Sequence, residues 1–499
     1  MTVSLNLFLL CWTPVLLLTG LAVIFRRPAF HLSIYGGVFT LALVVIGFGM
    51  PLVAALLAAL DGALTTLPLL LVIFAGILLS NLLISTGSLT RIVDRFLGNV
   101  HDAFHRGLFI SLGVGNFMEG ASVIAEPVVA PMLRTAGVDP TGAAALSIIG
   151  YAGLMTLEMG GIIVDVLSLV TGLPVRELGI ASAWLGVPAM LIMAACMPIY
   201  LPREGKLPHR LFLTLGCGLL VGLTTLAAAM YLGISISGML GGLALILAVM
   251  LVKPSQGDRD NQIFRDLAPF ALMLTALLLV NTVPYLKELT FRQLVVKVRI
   301  IPIHTLTFQP FFSAYLYLFA AFGLAAVLLR IPKERVKEEI VKGAKKAWRT
   351  AVAMGLFGAM GQMIAYSGYS ADFAQFDQTR NIPWILAIGL KAYSGTYYPV
   401  FVPLLGWVGT FLTGYGVASL MLFGQLQVQA AGLLGVSGTW LAAGLAVGTS
   451  VGSISSPLKI AIATPMCGAV GQEGNILRLT IPLGVFASLL IGVILWLGL

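Results

Sequence analysis

Runs of about 20 predominantly apolar residues follow one another along almost the whole chain, and each is long enough to cross a hydrocarbon core roughly 30 Å thick. In lipid every backbone N–H and C=O must be satisfied inside its own segment or in a closed barrel, so such runs fold as membrane-spanning helices. Only 10% of the 499 residues are charged and 59% are hydrophobic, against roughly 25% charged residues in soluble proteins. A soluble enzyme is excluded. Cys11, Cys196, Cys217 and Cys467 stand singly in apolar segments without a CxxC pair, which makes them small core residues rather than disulfide partners or metal ligands.

The expected fold is an all-α polytopic membrane protein with twelve crossings, near residues 5–25, 30–50, 64–87, 140–171, 178–201, 211–231, 232–252, 266–285, 310–331, 348–368, 439–470 and 478–499. The first has neither a basic n-region nor a small-residue cleavage site and reads as a retained helix rather than a signal peptide. Arg26 and Arg27, the 91–106, 203–210, 253–265 and 330–349 stretches and Arg478 gather on one side, which the positive-inside rule makes cytoplasmic. Both termini are then outside. The basic 287–299 stretch is the exception to this bias. The net charge of +9 is thereby a topological signal and not a nucleic-acid surface. KERVKEEIVKGAKKAWR, from Lys333, alternates charge at i, i+3/i+4 spacing and reads as an interfacial helix.

Two further apolar stretches, 107–134 and 398–434, are interrupted midway by glycine and polar residues and read as re-entrant hairpins. Irregular backbone at membrane depth is tolerated where protein covers it or where it lines a wet cavity, so broken apolar segments point to a transport site. The first contains GNFMEGAS from Gly115 and the second GTFLTGYG from Gly409, sharing GxFxxG. Each precedes a small-residue helix broken near its middle, AALSIIGYAGLMTLEMGG from Ala144 (140–171) and LAAGLAVGTSVGSISSPLK from Leu441 (439–470), and then a plain hydrophobic helix. The expected organisation is an N-terminal helix (1–29), a first repeat (30–201), linker or scaffold helices (202–309) and a second repeat of inverted topology (310–499).

Glu119, Glu126, Glu158, Asp165 and Lys459 remain inside these apolar blocks, all of them in hairpins or broken helices. A charge at a helix centre costs about 2.5–3.5 kcal/mol on insertion scales, so such groups face cavities and mark pathways. Glu119, beside the first hairpin's glycine turn, either caps backbone N–H groups or receives a cation or proton. Glu126 has no base within four residues and reads as a proton carrier. Glu158 sits at the first helix break, opposite the Ser455-Ser456-Pro457 break before Lys459. Lys459 either pairs with Glu158, snorkels to an interface, or holds an anionic substrate with Ser122, Ser453, Ser455 and Ser456. Asp165 reads as a residue near the outer surface. In the second hairpin Thr413, Gly414, Tyr415, Gly416, Ser419, Gln425 and Gln427 are uncharged groups suited to a hydroxyl and a carboxylate, although helix packing explains each singly. His31, His101, His105, His209 and His304 form no HxxxH pair, and GxSxG, HExxH, Walker A and dinucleotide fingerprints are missing from the sequence. No enzyme, metal or cofactor is therefore expected.

These residues resemble the lactate permease family of bacterial proton-coupled carriers for lactate and glycolate. The family's EGAxGFGxPVAI stands here as EGASVIAEPVVA from Glu119, and its FLTGSDTSSN followed by LF and LQ as FLTGYGVASLMLFGQLQVQAA from Phe411. Its ISPQSIAIA and later GLVG stand as ISSPLKIAIATPMCGAVGQEGNILRLT from Ile454, and its NYSG as AYSGYS from Ala365. The resemblance covers both repeat halves and the central helices poorly. It implies proton-coupled symport of a 2-hydroxy monocarboxylate across a bacterial inner membrane. Through the wider class of paired-hairpin transporters, it also implies elevator motion and a homodimer. The departures fall at the expected binding region: Val123-Ile124-Ala125 replaces a Gly-Phe-Gly, Glu126 a small residue, Tyr415-Gly416-Val417 a Ser-Asp-Thr, and Leu458-Lys459 the neighbourhood of a glutamine. Alternatives within the fold are a dicarboxylate or sulfonate substrate or sodium coupling. An anion channel or sensor is the alternative of another class.

Overall fold

The computed structural model describes residues 4–23, 25, 29–97, 100, 102–252, 261–413 and 416–499. Helices α1 (Leu5–Val23) and α2 (Ala29–Ala42, with a π-helical end at Leu43–Gly47) lead into α3 (Leu52–Thr65) and α4 (Leu67–Ser85). The latter two form one apolar stretch of 34 residues, so the crossing expected at 64–87 begins earlier. Amphipathic α5 (Ser88–Leu97) precedes the first hairpin, whose ascending arm is α6 (Ala103–Phe109), a π-helical turn (Ile110–Val114) and α7 (Gly115–Gly120). The descending arm is α8 (Glu126–Thr135). The first broken helix follows as α9 (Pro140–Ala152) and α10 (Ile162–Thr171), and then plain α11 (Val175–Cys196). The middle of the chain is α12 (Leu207–Tyr231), α13 (Ile234–Val252), α14 (Asn261–Thr282) and short α15 (Pro284–Glu288).

The second set opens with α16 (Ala314–Leu328), α17 (Lys333–Ala365) and α18 (Ile382–Ser394). Its hairpin is α19 (Tyr398–Thr413) and α20 (Gly416–Leu434), its broken helix α21 (Gly438–Gly452) and α22 (Pro457–Cys467), and its plain helix α23 (Glu473–Gly498). Among the described residues eight helices are long and apolar enough to cross a membrane, or nine if the bent α21–α22 pair counts as one span, which makes this a polytopic membrane protein.

Three expectations need correction. The chain is not all-α: β1 (Val296–Ile301) and β2 (His304–Phe308) pair antiparallel, with Ile301 opposite His304. Valine, isoleucine and threonine dominate these strands and favour extended backbone, so the basic 287–299 stretch passes from helical turns (Pro284–Glu288 and Leu289–Gln293) into a strand. The 333–349 segment is not a separate interfacial helix, because it runs without interruption into the apolar half of the 33-residue α17. Helix α18 was missed, although Asn381 caps it through Trp384 N–H at 3.0 Å and Pro383 lies in its first turn, both helix-start signals.

Helices α19 and α21 approach through glycines: a Cβ on Gly448 would lie 2.0 Å from the Pro403 carbonyl oxygen, and one on Gly406 2.2 Å from that of Leu445. Small residues let membrane helices pack backbone to backbone, where dispersion and weak polar contacts replace the hydrophobic effect. The two broken helices meet at their breaks. The Thr156 hydroxyl contacts the Ser450 hydroxyl and donates to the Ala446 carbonyl at 3.2 Å, while Ser453 donates to the Met155 sulfur at 2.8 Å.

Candidate functional site

The tip of the first hairpin is a five-residue turn between Gly120 and Glu126. Ser122 adopts φ +58°, a left-handed conformation costly for a side-chain-bearing residue. The Glu119 carboxylate accepts from Ala125 N–H at 3.0 Å and so holds the turn closed. The Asn116 amide donates to the Leu112 and Gly150 carbonyls, both at 2.7 Å, tying the hairpin to α9. In the first break Met159, Gly160 and Gly161 are successively left-handed. Glycine is required at 160, where a Cβ would stand 2.1 Å from that of Ala314.

At the junction of α8, α9 and α22 stands a three-residue polar chain. The Tyr151 hydroxyl donates to Glu126 Oε1 at 2.6 Å, and Lys459 Nζ donates to the Tyr151 oxygen at 2.8 Å. Lys459 Nζ lies 3.7 Å from Glu126 Oε1 and 4.7 Å from the centre of the Tyr151 ring. Lys459 is in the first turn of α22, where Ser456 caps the helix by accepting Lys459 N–H at 3.4 Å. All three side chains are buried or nearly so, and the second Glu126 oxygen has no hydrogen-bond partner among the described residues. Beside the chain is a cavity of about 280 Å³, walled by Leu69, Ile73, Ile77, Met155 and Met354 and bearing Glu119, Ser122, Glu126 and Lys459. A water needs only some 10–15 Å³ of such space, so a small solute fits. An ammonium reached from an apolar cavity, with a carboxylate it can exchange for another, is suited to an organic anion.

The expectation that Glu126 lacks a base is corrected: its base comes from α22, far along the chain. The alternative pairing of Lys459 with Glu158 is corrected with it. Glu158 is fully buried and neither of its oxygens has a hydrogen-bond partner among the described residues. Gly416 lines the cavity with Val417. Gly414, Tyr415 and the side chain of Thr413 lie outside the described residues. The remaining candidates point elsewhere: Ser419 to the Leu405 and Gly406 carbonyls, Gln425 to the Val170 carbonyl at 2.5 Å, Ser455 to the Thr480 carbonyl at 2.8 Å, and Gln427 to the Tyr398 hydroxyl at 2.9 Å. Asp165 faces a separate space of about 500 Å³ shared with Arg176, Thr307 and Gln309.

Sequence reasoning missed Tyr151, whose signal was a lone phenol in a helix of small residues, and two buried acids outside the hairpins. Asp266 is held by Arg91 through two bonds of 2.7 Å and by Ser88 at 2.6 Å. Asp61, fully buried on α3, meets His304 Nδ1 at 2.7 Å, while His304 Nε2 faces the Leu169 carbonyl at 3.1 Å. With an acceptor at each nitrogen, the ring satisfies both only as imidazolium. Burial by itself lowers the imidazole pKa, but the hydrogen bond and charge of Asp61, helped by the Leu169 carbonyl, outweigh it and leave the pKa raised. A folded-state pKa above the unfolded one gives stability that is complete below the ordinary value of about 6.5 and lost as pH rises through the folded value. The thermal unfolding temperature of detergent-solubilised protein should therefore fall as pH rises above about 6.5, and His304→Gln should flatten that slope; an unchanged slope in the variant would remove the pair from the explanation.

The model of the L-lactate permease family matches residues 7–498. An L-lactate permease of Streptococcus iniae is 26% identical over 454 residues, covering 86% of this chain and 92% of that one. An L-lactate permease of Salmonella typhimurium is 27% identical and a glycolate permease of Escherichia coli 25% identical, each covering 92% of this chain and 89% of its own. With a family model running from the first helix to the last, and relatives aligned over most of both chains, the chain belongs to the L-lactate permease family.

Proposed function

We propose that this chain is a secondary active transporter carrying a small 2-hydroxy monocarboxylate, lactate or glycolate, together with a proton across the bacterial inner membrane. The observation that carries the reading is the Glu126, Tyr151 and Lys459 chain beside a cavity of about 280 Å³. An incoming carboxylate takes the place of Glu126 as counter-ion to Lys459. Glu126, left without its cation in an apolar wall, then takes up a proton, because an uncompensated buried charge costs several kcal/mol. Binding of anion and proton is thereby mutually favourable. Tyr151 stays between them and can turn its hydroxyl from Glu126 to the substrate.

The residues lining the cavity offer one ammonium and two carboxylates. A second substrate carboxylate would find no counter-ion there, which favours monocarboxylates. The departures from the family pattern at Glu126 and Lys459 form one compensated change, an acid and a base gained together and placed 3.7 Å apart. The two sets of hairpin, broken helix and plain helix are read as inverted repeats that carry the site past a scaffold in elevator fashion, within a homodimer whose termini face outward.

The test is uptake of labelled lactate and glycolate into proteoliposomes with and without an inward proton gradient, competed by mono- and dicarboxylates. Uptake that the gradient accelerates and that short hydroxy acids block is the expected result. Acceleration by a sodium gradient would replace the coupling ion, preferential block by dicarboxylates would replace the substrate, and failure to accumulate substrate uphill would make the protein a channel.

A further inference from the structure

Helices α4 and α17 leave a cleft of about 260 Å³ between them on their outer side. It is lined without exception by apolar side chains, Leu70, Leu71, Ile73 and Phe74 from α4 and Ala344, Ala347, Trp348 and Ala351 from α17. Alanine at 344, 347 and 351 repeats at i, i+3 and i+7, so the small side chains line one face of the helix and form a trough. Trp348 walls the trough, is 49% exposed, and packs edge-on against Phe30 with ring centres 5.4 Å apart. Exposed tryptophan beside phenylalanine where the charged half of a helix gives way to its apolar half marks headgroup level, where amphipathic rings settle.

The charge at the same level is one-sided. From Lys333 to Arg349 the helix carries seven basic residues and three acidic ones. Lys342 is engaged by Glu338 and Glu339 at 3.6 and 3.3 Å. Lys345 and Arg349 are exposed, and the Arg349 guanidinium lies over the Trp348 ring at 5.5 Å, which places its planar donor fork at the mouth of the trough. An apolar slot sized for an alkyl chain, opening beneath a guanidinium, has the two-part chemistry of a phospholipid with an anionic headgroup.

We infer that the α4–α17 cleft is a binding site for an anionic phospholipid, one acyl chain lying along the alanine trough and the phosphate held by Arg349 with Lys345. The occupant lies one side chain from the transport cavity, because Ile73 lines both spaces. The lipid therefore forms the outer support of the cavity wall, and its retention is independent of whether the substrate assignment above is correct.

The experiment is native mass spectrometry of the purified full-length protein, supplied with equimolar phosphatidylglycerol and phosphatidylcholine. Phosphatidylglycerol should be retained about tenfold in preference, and Arg349→Gln with Lys345→Gln should bring the two to parity while the unfolding temperature stays unchanged. Ala347→Phe, which fills the trough and leaves the charges in place, should lower retention of both lipids. Equal retention by the unaltered protein overturns the inference, as does undiminished retention in Ala347→Phe. A disulfide forming between two copies of the Ala344→Cys variant would also overturn it, by making the cleft a contact between subunits.

Discussion

Lys459→Ala should weaken binding of lactate or glycolate about 10- to 100-fold, measured by titration of purified protein. A hydrogen bond to a charged group contributes roughly 1.5–3 kcal/mol, and each 1.4 kcal/mol is tenfold in affinity. The substitution also strands Glu126, which is 1% exposed, without its cation. Removing one partner of a buried pair costs about 3–5 kcal/mol, so the single variant should also unfold at a lower temperature. The two effects separate in Glu126→Gln/Lys459→Ala, where no buried charge is stranded: thermal stability should return and affinity should not. Affinity that recovers with stability would reduce Lys459 to a structural role, and unchanged affinity in the single variant would remove it from the site.

Glu126→Gln should abolish proton-driven accumulation and leave exchange of internal for external substrate intact. Glutamine keeps the acceptor for the Tyr151 hydroxyl, which now stands at 2.6 Å, but takes no proton. Lys459 remains without its resident counter-ion, so substrate affinity should hold or rise. Labelled substrate trapped in vesicles, with and without a gradient, reads both quantities at once. Loss of exchange together with accumulation would make Glu126 a ligand rather than the proton carrier. Accumulation that survives would pass the coupling role to Glu158, which is buried at the break between α9 and α10 with both oxygens free of hydrogen bonds among the described residues.

The interruptions of the apolar runs were legible because their signal is local. The turn between Gly120 and Glu126 and the break at Met159-Gly160-Gly161 are written in glycine and in polar residues that interrupt an apolar run. The partners of the buried charges were not legible, since Tyr151 and Lys459 are 308 residues apart and no spacing rule joins them. Asp61 was overlooked for a different reason. The crossing was started at residue 64, so an acid inside the actual α3 was read as lying in a loop. The strands at 296–308 alternate too briefly to stand out beside helical runs of twenty residues, and their side chains show only part of the alternation in burial.

The long separation between the members of the site also bears on how the protein is made. Glu119, Glu126 and Glu158 are synthesised and delivered to the bilayer well before Lys459, the one base that lines the cavity among the described residues. During that interval Glu119, Glu126 and Glu158 have no ammonium to match them, a state that lipid tolerates only for acids that are neutral or in contact with water. Arrival of α22 beside α8 and α9 is the event that brings Lys459 within 3.7 Å of Glu126. Completion of the chain is then the step that gives this acid its cation, and a chain stopped before residue 459 should be recognised by membrane quality control as unfinished.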